Sequence, residues 1–200
     1  MQPTQPQGSL DYLNQIAPQE KRDLRNDKMF FGIIGVGLVL AIVVGLMVLN
    51  SGPNLTTDLE NLSAQLTTLQ KITSSANTTI HDNQLQGINA NLTLQLTNAN
   101  QALTAPLKSV GINPSAIPQT IVAKNADTDL VNKLKDAQLN AVFDRVYSTN
   151  MSYEIQAVLI QMRGIEKQTN NSSLKSFIDS TRNNLQPLQT QMQSFADQSS

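Results

Sequence analysis

A chain of 200 residues with net charge −1 and no cysteine or tryptophan cannot use a disulfide scaffold, a thiolate zinc site, a cysteine nucleophile or a lipid-modified cysteine. Only 14% of residues are charged, well under the usual figure of about a quarter, and no basic excess suits nucleic acid. With 4% aromatics, any core must come from Leu, Ile, Val, Met and Ala.

The chain opens with MQPTQPQG, a Pro/Gln-rich stretch that reads as disordered within a cytoplasmic tail over residues 1–28. Leu10, Leu13 and Ile16 could line a short helix ending before Pro18, with Ser9 or Asp11 as its cap. Two readings stay open there: a spacer with incidental apolar residues, or a docking motif for a cytoplasmic partner.

Met29 to Leu49 carries no charged or strongly polar side chain. As a helix its roughly 21 residues span about 31 Å, the thickness of a bilayer's hydrocarbon core. The run is too long for a cleaved signal's h-region, and MVLNSGPN offers no A-x-A-like site. It reads as a transmembrane signal anchor in the lipid bilayer. Lys21, Arg22, Arg25 and Lys28 precede it, and no Lys or Arg follows until Lys71. The positive-inside rule then leaves the N-terminus in the cytoplasm and residues 50–200 outside. Gly37, Ala41 and Gly45 share one helix face, which would let two membrane helices approach and form a homodimer.

Residues 50–54 form a linker, where Gly52-Pro53 breaks any continuous helix. The pattern over 55–197 is then helical. Leu55, Leu59, Leu62, Leu66, Leu69 and Ile72 form a first apolar seam. Thr57 and Glu60 have capping-box spacing, with Asn54 a competing N-cap, and SSANTT reads as a turn. A second helix is expected from about Thr79 to Lys108, ending near Pro106, with Ile88, Leu92, Leu96, Ala99 and Leu103 as its stripe. SVGINPSAIPQT reads as a loop, because Pro114 and Pro118 oppose regular helix. A short helix from Asp127 to Lys135 follows, then a long one from Ala137 to Lys167 carrying Phe143, Tyr147, Met151, Ile155, Val158, Leu159 and Met162. After QTNNSS, with Ser172 or Ser173 as N-cap, the last helix runs from Leu174 to Asp197, with Pro187 expected to bend it. No strand alternation is visible, so the external segment reads as an all-α four-helix bundle.

AVFDRVYSTNM (Ala141 to Met151), SLKSFIDSTRNNLQPLQ and TNANQALTAPLKSVGI together resemble domain-of-unknown-function family 4142. The resemblance covers roughly Leu62 to Phe195. It implies an antiparallel, ferritin-like four-helix bundle from exported bacterial proteins, with a short extra helix in the long connection. That family's pattern carries an Asp-His pair on the second helix, another on the third and a His on the last, which suggests a metal site. The matching positions here are Gln95-Leu96, Glu154-Ile155 and Leu188. Each expected His is replaced by an aliphatic residue with no lone pair to offer. Leu96, Ile155 and Leu188 are therefore expected to pack together as core, with no metal and no cofactor.

The sole histidine, His81, stands beside Asp82 and reads as an exposed residue of a helix's first turn rather than a ligand. Glu154 and Glu166 lack the His three residues on that a di-iron bundle needs. Asp144 and Arg145 are expected at the bundle surface or in a local pair. No nucleophile elbow, phosphate loop or zinc spacing appears. Asn-x-Ser/Thr triplets at Asn54, Asn61, Asn77, Asn91, Asn150, Asn170 and Asn171 are mostly what chance gives in so Asn/Thr/Ser-rich a chain. The expected role is therefore non-enzymatic: a cell-envelope protein with a structural or protein-binding external bundle. Its rivals are a small-molecule, metal or stress-linked binding domain and a transmembrane sensor.

Overall fold

The computed structural model describes residues 54–198, which fall within one compact unit. The cytoplasmic tail, the basic residues Lys21, Arg22, Arg25 and Lys28, the anchor Met29–Leu49 with Gly37, Ala41 and Gly45, and linker residues 50–53 lie outside the described residues. Among the described residues no helix is long and apolar enough to cross a membrane, and there is no strand.

Helix α1 (Leu55–Ala76) is capped by Asn54, whose side chain accepts the Thr57 N–H at 3.4 Å. The competing cap thus wins over the Thr57–Glu60 box. The helix also runs through Ser74 and Ser75, which the SSANTT reading placed in a turn; the turn begins only at Asn77. Helix α2 (Asn83–Ser109) starts later than expected. Asp82 caps it, accepting from Gln84 N at 2.8 Å and Leu85 N at 3.0 Å.

Pro106 does not end α2; it sits buried within it. The helix closes three residues later in a Schellman motif. Ile112 N–H reaches Leu107 O at 2.9 Å and Gly111 N–H reaches Lys108 O at 3.1 Å. Gly111 supplies the left-handed residue, at φ 82.

The long connection is more helical than its prolines suggest. A 3-10 turn (Pro114–Ala116) is followed by α3 (Gln119–Lys124), which Pro118 leads into as a helix-compatible N-cap residue. Helix α4 (Thr128–Leu139) then extends past the expected end at Lys135, and α5 (Phe143–Gln168) begins at Phe143 rather than Ala137. The break between them is again a Schellman motif: Val142 N–H bonds Ala137 O at 3.0 Å and Ala141 N–H bonds Gln138 O at 3.3 Å. Here the left-handed position, φ 55, is held by Ala141 instead of glycine.

Helix α6 (Ser172–Gln198) is capped by Asn171, which accepts Leu174 N–H at 3.0 Å. Neither Ser172 nor Ser173 plays that part, since both lie inside the helix. The exposed Pro187 is likewise accommodated within α6.

The four long helices close a ring in which α1 touches α2 and α5, and α6 touches α5 and α2. Polar contacts fix their directions. Asp144, opening α5, bonds the start of α2 at His81 and Asp82. Asn171, before α6, bonds Ser109 at the end of α2, and Gln161 of α5 bonds Asp58 in the first turn of α1. Every adjacent pair is therefore antiparallel, α2 runs parallel to α5 on the diagonal, and the connection between them spans the length of the bundle. Along it, α3 packs on α1 and α4 on α5.

The expected seams all point inward. Leu59, Leu62, Leu66, Leu69 and Ile72 meet Leu85, Ile88, Leu92, Leu96, Leu103 and Leu107, together with the predicted stripe of α5 and with Leu174, Phe177, Ile178, Leu185, Leu188, Met192 and Phe195 of α6, in one buried cluster. Leu55 alone of the first seam is only partly buried.

Candidate functional site

Helix periodicity brings the three aliphatic residues expected to pack together to the centre. Leu96 and Ile155 have no exposed surface, Leu188 is 6% exposed, and all three belong to the same core cluster. Hydrocarbon side chains offer no donor atom, so this position does not fit a metal. Among the described residues no group of three or more His, Asp or Glu converges as a metal-binding set.

A concavity opens at the end of the bundle where α1 turns into α2 and α5 begins. Its volume is about 630 Å³, and its walls include His81, Asp82, Asp144, Arg145, Phe143 and Phe195. Ala141, with its positive φ, also lines it. Phe143 stacks on Tyr147 with ring centroids 5.6 Å apart.

Both carboxylates of the cavity are committed to backbone. Asp82 caps α2, and Asp144 accepts from His81 N at 3.1 Å and Asp82 N at 2.8 Å. Asp144 thereby staples α5 to the α1–α2 turn, a link over 60 residues long in sequence. His81 is exposed, as its neighbours suggested, but it precedes α2 rather than lying in its first turn. Leu139, next in sequence to the cavity-lining Gln138, is 84% exposed. The arrangement offers an aromatic wall with basic and imidazole groups at its rim, while its acids hold helices in place.

A second polar cluster escaped the sequence reading. It forms where the connection crosses α1 and α5. Asn125, after α3, donates to Asn61 of α1 at 2.9 Å, and Lys133 of α4 donates to Asn150 of α5 at 2.9 Å. Between these ties Asp127, the N-cap of α4 at φ 47, acts on Glu154 of α5. Burial pushes the Glu154 carboxyl up to about 7, and the Asp127 charge adds to the rise. Burial also raises Asp127, against the Leu130 N–H it accepts and with help from Asp129. Burial lowers Lys133. Each residue is visible in the sequence, but their meeting depends on how the connection lies on the bundle, and no local pattern encodes that.

Along the same α1–α5 seam, Gln161 donates to the Asp58 carbonyl at 3.0 Å and Gln168 to the Asp58 carboxylate at 3.1 Å. The Oε1 atoms of Gln65, Gln161 and Gln168 are buried and accept no hydrogen bond.

No protein-family model, curated protein or solved structure matches the chain.

Proposed function

We propose that this chain is a single-pass, membrane-anchored cell-envelope protein whose external bundle has a structural or protein-docking role and no catalytic one. The anchor part of the reading rests on the uncharged run Met29–Leu49 behind Lys21, Arg22, Arg25 and Lys28. The observation that carries the role is the use made of the cavity's acids. Asp82 and Asp144 both spend their oxygens on backbone N–H groups, which is the work of a fastener rather than of a general acid or base.

The single long connection between parallel α2 and α5 supports the ferritin-like reading and the resemblance to domain-of-unknown-function family 4142, because that topology is the one-crossover form of a four-helix bundle. The aliphatic trio Leu96, Ile155 and Leu188 supports a member without the family's metal site. The cavity lies at the end opposite the start of α1. An anchored chain would therefore present it at the far end from the point where it leaves the membrane, with the exposed Leu139 next in sequence to its Gln138.

Two measurements test the proposal. Mass spectrometry of the mature protein should find residues 1–28 retained; a chain starting near Asn50 would remove the anchor. Site-specific photocrosslinking from Leu139 and His81 in intact cells should then capture a discrete protein partner more strongly than crosslinking from Gln84 or Lys175. The cavity's size also suits a small molecule, since such sites are commonly about 300–1,000 Å³. Stoichiometric metal or a co-purifying small molecule in the isolated protein would favour that second reading.

A further inference from the structure

The Asn-x-Ser/Thr triplets differ in what their side-chain nitrogen does, and that atom is the one a sugar takes in glycosylation. Asn61 donates Nδ2 to Thr57 O at 2.9 Å, Asn150 donates it to Val146 O, and Asn171 donates it to Ser109 Oγ at 3.1 Å. Their amide oxygens are bonded too, accepting from Asn125, Lys133 and the Leu174 N–H. All three are half-buried, and a sugar on any of them would break a tie that holds the bundle. The nitrogens of Asn54, Asn77, Asn91 and Asn170 donate to nothing among the described residues, and all four residues are exposed.

Backbone divides these four. Asn91 lies inside α2, and the hydroxyl of its Thr93 donates to Asn89 O at 2.9 Å. Asn54 caps α1, so its Thr56 is already helical. The other two stand in turns, the surface-loop setting that an acceptor triplet needs. Asn77-Thr78-Thr79 makes the α1–α2 turn, and Asn170-Asn171 joins α5 to α6 with Ser172 opening the latter. Neither Thr79 nor Ser172 has its hydroxyl in a hydrogen bond. The core also fixes which way the Asn77 amide faces. Thr73 O can only accept, so Asn89 turns Nδ2 towards it, and the same nitrogen reaches Asn77, which must answer with its oxygen. In a planar carboxamide, Asn77 Nδ2 then points away from the buried Asn89.

We infer that, with residues 50–200 outside the membrane as proposed, Asn77 and Asn170 are N-linked glycosylation sites at opposite ends of the bundle, while Asn54, Asn61, Asn91, Asn150 and Asn171 stay bare. The donor is an oligosaccharide joined through phosphate to a membrane lipid. Nδ2 forms a bond to the anomeric carbon of its first sugar, and the bond from that carbon to the phosphate oxygen breaks. The lipid phosphate leaves with the electron pair, and the amide nitrogen gives up one proton. Asn77 keeps its oxygen for Asn89, so the buried polar chain survives the transfer. A surface drawn from a chain with only 14% charged residues gains hydration from the sugars.

Glycopeptide mass spectrometry tests this on the full chain purified from the membranes of the cells that make it, with protease accessibility of residues 50–200 measured on the same intact cells. Sugar should be found on Asn77 and Asn170 and on no other asparagine. Thr79→Ala should remove it from Asn77 alone and Ser172→Ala from Asn170 alone, whereas Thr79→Ser, which keeps the hydroxyl, should leave Asn77 modified. Bare Asn77 and Asn170 in a protease-accessible segment would overturn the glycosylation and leave the topology standing. Bare residues in a protease-protected segment would overturn both. Sugar on Asn61, Asn150 or Asn171, or sugar on Asn77 that survives Thr79→Ala, would equally overturn the assignment.

Discussion

Tyr147 of α5 donates its phenolic hydrogen to the side-chain carbonyl of Asn89 in α2, across the diagonal of the bundle, where neither residue has any exposed surface. Asn89 passes the connection on, donating to Thr73 O at 3.0 Å and to Asn77 Oδ1 at 2.6 Å. The three helices α1, α2 and α5 are thus tied at one level through a buried polar chain. Burial drives the Tyr147 hydroxyl far above its ordinary pKa, so it stays a donor at any ordinary pH. In an aliphatic core, which tolerates sliding, such a chain specifies register.

Tyr147→Phe should therefore cost about 1–3 kcal/mol, because it strands the Asn89 acceptor in a dry place. Asn89→Leu should cost a similar amount by stranding the phenol. The double variant should be less damaged than the sum of the singles, by at least about 0.5 kcal/mol. Urea unfolding of the four proteins measures this. Strict additivity would show that the two groups do not depend on each other.

Asp144→Ala should destabilise by about 1–2 kcal/mol, the scale of a charged acceptor lost from backbone N–H groups at a helix start. Because Asp144 joins α5 to the α1–α2 turn, the loss should appear first as faster hydrogen exchange at His81 to Leu85. Asn at this position keeps one acceptor and should recover part of the effect. Uniform loosening of the whole bundle would contradict a local staple.

Two opposite backbone swaps should both stabilise. Ala141 holds a left-handed φ of 55, a conformation that costs an L-residue about 1–2 kcal/mol. Ala141→Gly should relieve that strain, for a net gain of up to about 1 kcal/mol after glycine's own entropic cost. Gly87 lies within α2, and a Cβ there would meet nothing within 4 Å. Gly87→Ala should gain about 0.5–1 kcal/mol from helix propensity. Thermal unfolding of each variant and of the pair gives the sign directly.

Leu96 and Ile155 are both fully enclosed at the centre of the core. Leu96→Ala should cost about 2–5 kcal/mol by lost transfer energy and cavity formation. Leu188, slightly open at 6%, should cost less. Values under about 1 kcal/mol at Leu96 would mean that the site collapses easily and is not the packed centre described.

The periodic part of this fold was open to inspection in the sequence because it depends on one rule: apolar residues every three or four positions face a shared core. That rule correctly buried the stripes of α2 and α5. It had nothing to say about Thr73, Asn89 and Gln161, polar residues that are buried because particular partners await them. Nor could it find the break after α4. A helix stop is announced by glycine, and here Ala141 takes the left-handed position, so AQLNAVF reads as continuous helix. Pro106 did mark the end of α2 to within a turn, since the expected last residue, Lys108, lies one before the observed Ser109. The cap of α6 went to Asn171 over two adjacent serines, a choice between equivalent acceptors that only the backbone path decides. The Asp127–Glu154 meeting was invisible because it is made by the docking of one element on another.

That meeting gives the bundle a pH dependence of unusual sign. Most native carboxylates have lowered pKa values and lose stability in acid. Glu154 is raised, from 4.5 to about 7, by burial first and Asp127 second. The folded state therefore binds more protons than the unfolded chain between those values, and stability falls as pH rises through that window. The contribution is full below about 4.5, where the unfolded carboxyl is also protonated, and is gone above about 7. A shift of this size, discounted for partial solvent screening, is worth on the order of 1–2 kcal/mol. Urea midpoints taken from pH 5 to pH 8 should decline for the wild-type chain and decline less for Glu154→Gln, so that the two curves converge at low pH and separate above 7. Parallel curves would show that Glu154 titrates alike in the folded and unfolded chains, and the crowding of the two carboxylates would then have no energetic consequence.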